Sequence, residues 1–226
     1  MHESLKDIPS RILEVATGAL TQANQHAVFF DPGLEHWDRM SVLNAALAGE
    51  LFLKAIIAKE HPLLIFRDLF HLDDPGSQDM NFERIIEKGR TYNFEHLPKL
   101  LWVATGERLP DMENFEKLRK VRNSIQHFCA PEEVKFRRLS LEFIYNNIDP
   151  RIYKHFGLYA VEHHEDMSVG YDYVVNRIVA HELFFSIPKD FCISEVDLSE
   201  TLSKTGDAYR DELTKRLSAI GFDLHA

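Results

Sequence analysis

Residues 110–128 read PDMENFEKLRKVRNSIQHF. Pro110-Asp111 opens a helix that runs to about Cys129. Phe115, Leu118, Val121, Ile125 and Phe128 return at helical spacing and define one apolar side. Arg119, Arg122, Asn123, Gln126 and His127 fill a polar arc beside it. Asn123 and His127 lie one turn apart on a shared face, as do Arg122 and Gln126. Arg122 falls at the edge of the apolar side, where packing can hold its stem while its head reaches outward.

Helical periodicity also governs the flanks. Ile8 to Phe30 reads as a first helix, ended by Asp31-Pro32-Gly33, and Leu34 to Glu60 as a second. The second is apolar on nearly every side between Met40 and Ala58, the pattern of a buried central helix. Glu50 and Lys54 are its main polar residues, in the favourable order for an i,i+4 ion pair. His61-Pro62 breaks this helix, and a shorter helical piece reaches about Phe70. Asp73 to Ser77 is the clearest loop. Helices are expected at about Asn81 to Lys88 and Phe94 to Ala104, with Thr105-Gly106 as a stop.

Beyond the opening stretch, Pro131-Glu132-Glu133 suits a first helical turn, and that helix is expected to end before Asp149-Pro150. The pattern loosens from Asn146 to Met167. A helix from about Met167 to Phe185, a break at Pro188, and a last helix from Ser194 complete the chain. Ser194 and Asp197 have the spacing of a capping box. Hairpin dipeptides and period-two alternation are scarce, so the fold class expected is all-α.

Composition sets limits on function. Net charge is −10 with His neutral, against 45% hydrophobic and 27% charged residues. A protein that coats nucleic acid without specificity is usually basic, so any RNA contact here must use a local patch. Arg119/Lys120 and Arg137/Arg138 are candidates for such a rim. Two cysteines, Cys129 and Cys192, are too few for a disulfide framework and lack zinc spacing; they are expected as buried thiols in a reducing compartment. His163-His164-Glu165 is expected on a solvated face or loop, since adjacent helical positions diverge by about 100° and serve poorly as joint metal ligands. No metal or other cofactor is expected. The apolar runs Ala45 to Ala48 and Leu63 to Phe66 are short, and the N-terminus has no apolar signal core, so a cytoplasmic protein without membrane contact is expected.

Arg-x4-His spacing alone carries little weight. With fourteen Arg and twelve His, random placement yields roughly 0.7 such pairs. The residue types add weight, because they suit one chemistry. RNA carries its own nucleophile, the 2′-hydroxyl, and a histidine can activate it as general base. A guanidinium can hold the phosphate through paired hydrogen bonds and stabilise the charge that develops. Asn123 can orient either partner. No metal is needed on this route.

Leu118-Arg-Lys-Val-Arg122-Asn123-Ser-Ile-Gln-His127 resembles the Arg-x4-6-His motif of the HEPN superfamily (higher eukaryotes and prokaryotes nucleotide-binding), in which a polar residue follows the Arg. Ala45 to Ala55 is similar to that family's Glu-x3-Lys helix through Glu50 and Lys54, and Glu95-His96-Leu97-Pro98-Lys99-Leu100-Leu101 to its His-x-Leu helix start. The landmarks span roughly residues 34–147 in the expected order. The resemblance implies a HEPN-like helical bundle over residues 1–150, with its core at about 34–147, and a helical extension at 151–226 packed on or beside it. It implies a homodimer whose facing motif helices form a composite, metal-independent endoribonuclease site in a toxin–antitoxin or phage-defence setting. Arg122, Asn123 and His127 would be catalytic, Arg119, Lys120 and Gln126 would bind RNA, and Glu50 and Lys54 would support them. The alternative is an inactive HEPN scaffold that binds a partner protein or a nucleotide. An antitoxin or a nucleotidyltransferase would be a further partner. Some members end the motif with His-x-Tyr, the Tyr being modified by that nucleotidyltransferase; His127-Phe128-Cys129 lacks this acceptor.

Overall fold

The computed structural model describes residues 2–29, 33–34, 36–72, 76, 80–165 and 167–222. The expected stop at residues 31–33 and the loop at 73–77 fall largely outside them. The protein is all-α: helices alternate with short turns, and strand is confined, among the described residues, to two residue pairs. The chain forms two compact units, residues 1–16 with 49–109 and residues 17–48 with 110–226. Residues 151–226 thus belong to the same unit as 110–150.

Helix α1 (Ile8–Val28) and helix α2 (Trp37–Glu60) each contribute residues to both units. In α2, Val42, Ala45, Ala46, Phe52, Leu53 and Ile56 are almost wholly buried. By length and composition α2 could cross a membrane, with a window of mean hydropathy 1.6, contrary to the expectation from short apolar runs. Yet 67% of that window is buried inside the protein, as in the core helix of a globular domain.

In the first unit the segment after α2 departs from the expected helix. Pro62–Ile65 forms a 3-10 turn, begun where the His61 imidazole accepts from the Leu63 amide. Strand β1 (Phe66–Arg67) follows, then a second 3-10 turn at Leu69–Leu72. Asp68 stands at φ 56°, which no right-handed helix admits. Helix α3 (Phe82–Lys88) starts where the Asn81 side chain accepts from the Arg84 amide. It leads through Gly89 into strand β2 (Arg90–Thr91), antiparallel to β1 with Phe66 opposite Thr91. A Cβ at Gly89 would lie 2.3 Å from the Ile85 carbonyl and 2.8 Å from the Phe66 ring, so only glycine fits this tight exit. Helix α4 (Leu97–Thr105) ends at Gly106, whose φ of 77° closes it as a left-handed cap.

In the second unit, helix α5 (Met112–His127) is followed by an irregular stretch, then helix α6 (Phe136–Phe143), a π-helical turn (Ile144–Ile148) and helix α7 (Asp149–Phe156). Two expectations fail here. Pro131-Glu132-Glu133 is not a first turn, because the apolar repeat that buries Leu139 and Phe143 begins only at Phe136. Asp149-Pro150 does not end the helix. The wide π turn shifts the hydrogen-bond ladder, and Pro150 sits in the first turn of α7, where a missing amide proton costs nothing.

Buried polar groups pin this unit. The Asn24 amide donates to the carbonyls of Ala160 (2.9 Å) and His163 (2.8 Å) and accepts from the Tyr145 hydroxyl (3.1 Å). Asp149, only 1% exposed, accepts from the backbone amides of Ala160 (3.0 Å) and Ser186 (2.6 Å). Burial nevertheless dominates and raises its carboxyl to about 6.

Helix α8 (Asp172–Ala180) is shorter than expected, since Gly170 at φ 56° separates it from a 3-10 turn at Met167–Val169 and Glu182 turns left-handed beyond it. The last helix divides in two. Asp197 caps helix α9 (Leu198–Ser203) through the Glu200 amide, and Gly206 precedes helix α10 (Asp207–Ala219). The Ser194 amide serves a different partner, the buried Asp172 carboxylate.

Candidate functional site on helix α5

The expected site residues fall in two places. Arg119, Lys120, Arg122, Asn123, Gln126 and His127 all stand on α5 in the second unit, while Glu50 and Lys54 belong to the first. Asp111 caps α5, accepting from the Asn114 amide at 2.9 Å. Its own backbone is held by Asn147 of the π turn: the Asp111 amide donates to Asn147 Oδ1 and Asn147 Nδ2 donates to the Asp111 carbonyl, both at 3.0 Å.

Phe115 and Leu118 are fully buried and Val121 nearly so. Each contributes about 1.5–3 kcal/mol by burial, which fixes the face that α5 turns inward. Phe115 meets Phe143 of α6 with ring centroids 6.3 Å apart. Past Val121 this stripe fades. Ile125 is half-buried and Phe128 is 90% exposed, against its expected place on the apolar side. The helix ends at His127, and Phe128 adopts φ −147° and ψ −86°, so its side chain no longer follows the helical repeat.

Arg122 and Asn123 are half-buried and adjacent, with Arg122 Nη1 3.4 Å from Asn123 Oδ1. Gln126 and His127, one turn on, are exposed, as is Lys120. None of these last three side chains bonds to another described residue. Arg119 is engaged within its own helix, giving two hydrogen bonds to Glu116 Oε2 at 3.2 and 2.8 Å. Of the suggested rim, Arg137 pairs with Asp38 and Arg138 with Glu142.

In the first unit, Lys54 Nζ lies 2.7 Å from Glu50 Oε1 and 3.0 Å from Thr91 Oγ1. Lys54 is buried and joins Ile8, Leu51, Ile65 and Phe66 in lining a cavity of about 740 Å³. The pair ties α2 to strand β2.

No family model, curated protein or solved structure matches the chain.

Three other sequence candidates are placed by the structure. Cys129 and Cys192 are exposed, not buried, because both lie on irregular segments outside the helices. His96 is exposed at the start of α4, its ring edge-on to Tyr92. His163 and His164 leave a 3-10 turn, and both are at least half-covered rather than solvated. Burial and the neighbouring His164 hold the His163 imidazole below its ordinary pKa, which suits a neutral interior ring. Among the described residues no cluster of His, Cys, Asp and Glu could hold a metal ion.

Proposed function

We propose that the chain is a HEPN-type, metal-independent endoribonuclease whose site is the C-terminal turn of α5, doubled in a homodimer. One observation carries this reading. An inward-facing Phe115–Leu118–Val121 stripe positions the helix, and the same helix presents half-buried Arg122 and Asn123 beside an exposed His127 that bonds to no described residue. Packing thus holds one end of the constellation while the other stays open to substrate.

In the proposed reaction His127 takes the proton of the RNA 2′-hydroxyl. The 2′-oxygen bonds to phosphorus and the bond to the 5′-oxygen breaks. The second protomer's His127 returns a proton to that oxygen, leaving a 2′,3′-cyclic phosphate and a 5′-hydroxyl. Arg122 binds the phosphate and stabilises its added negative charge, and Asn123 orients the phosphate or the guanidinium. Lys120 and Gln126 are open to flanking phosphates, whereas Arg119 must first leave Glu116. A cytoplasmic toxin or phage-defence protein is the setting that fits this activity, and an antitoxin or nucleotidyltransferase is the partner class to seek.

The test is cleavage of diverse RNAs by purified protein in EDTA. His127→Ala is expected to abolish it; equal activity in both proteins would sink the proposal. A second reading, an inactive HEPN dimer that binds a partner protein or nucleotide, draws on the net charge of −10 and the Arg119–Glu116 pair. It predicts no cleavage of any RNA by a protein that still dimerises.

A further inference from the structure

The second unit contains a small pocket of about 320 Å³ whose wall is strongly cationic. Lys135, Arg137, Arg138, Arg177 and His181 line it, against the one carboxylate of Asp38 among the described residues. This volume is at the small end of ligand cavities, which run from about 300 to 1,000 Å³. In a chain of net charge −10, four permanent cations around one pocket are conspicuous.

The nearby carboxylates neutralise only half of the four permanent cations. Asp38 is spent on Arg137 Nε at 2.5 Å, and Glu142 on Arg138 Nε at 2.7 Å. Lys135 and Arg177 make no ion pair with any described residue. His181 Nε2 is buried and has no hydrogen-bond partner among the described residues. A buried ring nitrogen without a partner is costly, and an acceptor arriving in the pocket would relieve it.

Helix electrostatics explain only two of the five basic side chains. Arg177 and His181 stand at the C-terminal end of α8, where positive charge complements the dipole. Lys135, Arg137 and Arg138 stand at the opposite kind of end. They occupy the N-cap and first turn of α6, which holds no acidic residue. Cations there oppose the dipole; Arg138 is offset by Glu142 within α6 and Arg137 by Asp38, but nothing offsets Lys135. A bound anion would counter these cations and the positive end of the α6 dipole together.

We infer that this pocket binds a phosphate group through Lys135, Arg138, Arg177 and His181. Phosphate fits better than carboxylate. It carries up to two negative charges for the two cations without a carboxylate partner, Lys135 and Arg177, and it offers one more acceptor oxygen to a wall rich in donors. Guanidinium groups from α6 and α8 approach from two elements, as suits a tetrahedral oxyanion. Val134 and Phe136 complete the lining with apolar surface, room for a small group attached to the phosphate. Burial keeps the His181 imidazole below its ordinary pKa, and Arg177, Arg138 and Lys135 add to this while Glu142 opposes it. An anion among these groups pushes that pKa back up.

The experiment titrates the full-length His127→Ala protein with inorganic phosphate, pyrophosphate and acetate at matched ionic strength, following the His181 ring by NMR. Using this variant keeps the outcome separate from the question of RNA cleavage. The expected result is a saturable shift with a raised His181 pKa, strongest for pyrophosphate and weakest for acetate. Lys135→Gln and Arg177→Gln are each expected to weaken phosphate binding about tenfold, the loss of one charge-assisted hydrogen bond. Lys215→Gln makes the same charge change and leaves binding unaltered. Tighter binding of a nucleoside triphosphate than of pyrophosphate assigns the site to nucleotides; equal binding assigns it to free phosphates. A His181 signal that does not saturate, acetate binding equal to phosphate, or unchanged binding in folded Lys135→Gln and Arg177→Gln proteins would overturn the inference.

Discussion

Asp149→Asn isolates the energetics of one buried carboxyl. The folded protein holds this group at about 6, against 3.8 for the free side chain. At about 1.4 kcal/mol per pKa unit, the protonated form is favoured in the folded state by on the order of 3 kcal/mol. Almost complete burial means little of this is screened away. The sign follows from proton uptake. The folded state binds the proton more tightly, so the contribution is fully present below the unfolded pKa and is lost as pH rises through about 6. Asparagine cannot titrate. Its oxygen can replace one carboxylate oxygen, but its NH2 meets the other backbone donor, Ala160 or Ser186, at a cost of about 1–3 kcal/mol at every pH. The variant should therefore be the less stable protein near pH 4. The gap should close, or reverse, by about pH 7 as wild type loses its on-the-order-of 3 kcal/mol. Urea unfolding of both proteins across this range measures the difference directly, with effects of other groups cancelling. A gap that stays constant with pH would refute the assignment of burial as the dominant influence on Asp149.

Asn24→Ala leaves two interior carbonyls and the Tyr145 hydroxyl without this partner, and should lower unfolding free energy by about 3 kcal/mol or more in the same assay. Gly89→Ala drives a Cβ into the Ile85 carbonyl, and a loss of about 1–3 kcal/mol is expected by thermal unfolding. Phe128→Ser removes a side chain that is 90% exposed, so stability should hold within about 0.5 kcal/mol. If α5 pairs with α5 in the dimer, the same change weakens self-association in sedimentation, and an unaltered dimer would count against Phe128 at that interface.

How much was legible in the sequence varies with the physics of each element. Helix α2 was readable because continuous apolarity from Met40 to Ala58 admits little but a buried helix. Helix α5 was readable because its two faces differ so sharply as far as Val121. Its end was not. Phe128 keeps the apolar spacing but sits past the last helical residue, where backbone angles rather than periodicity aim the side chain. Strands of two residues, such as Phe66–Arg67, are too short to show alternation. Pro150 reads as a stop under a rule built for an uninterrupted α ladder, and the π turn before it changes that ladder. The ion pair at Glu50 and Lys54 follows from spacing alone, but its third member, Thr91, comes from a distant strand. Of the cationic pocket only the basic pair Arg137/Arg138 shows locally, while Asp38, Arg177 and His181 come from distant segments.

The Asn147 clamp on Asp111 makes α5 a lever. The clamp grips one end of the rod at Asp111, while His127, proposed to touch RNA, stands at the other, about 24 Å away at about 1.5 Å per residue. A tilt of only about 3° at the fulcrum sweeps the far tip through about 1 Å. Misplacement of that size can slow a reaction about a hundredfold. Precision at the working tip is therefore set in large part at its far end, in an unusual turn of another helix. A repacking of the mostly buried residues 144–148 would be felt at the tip without any contact there.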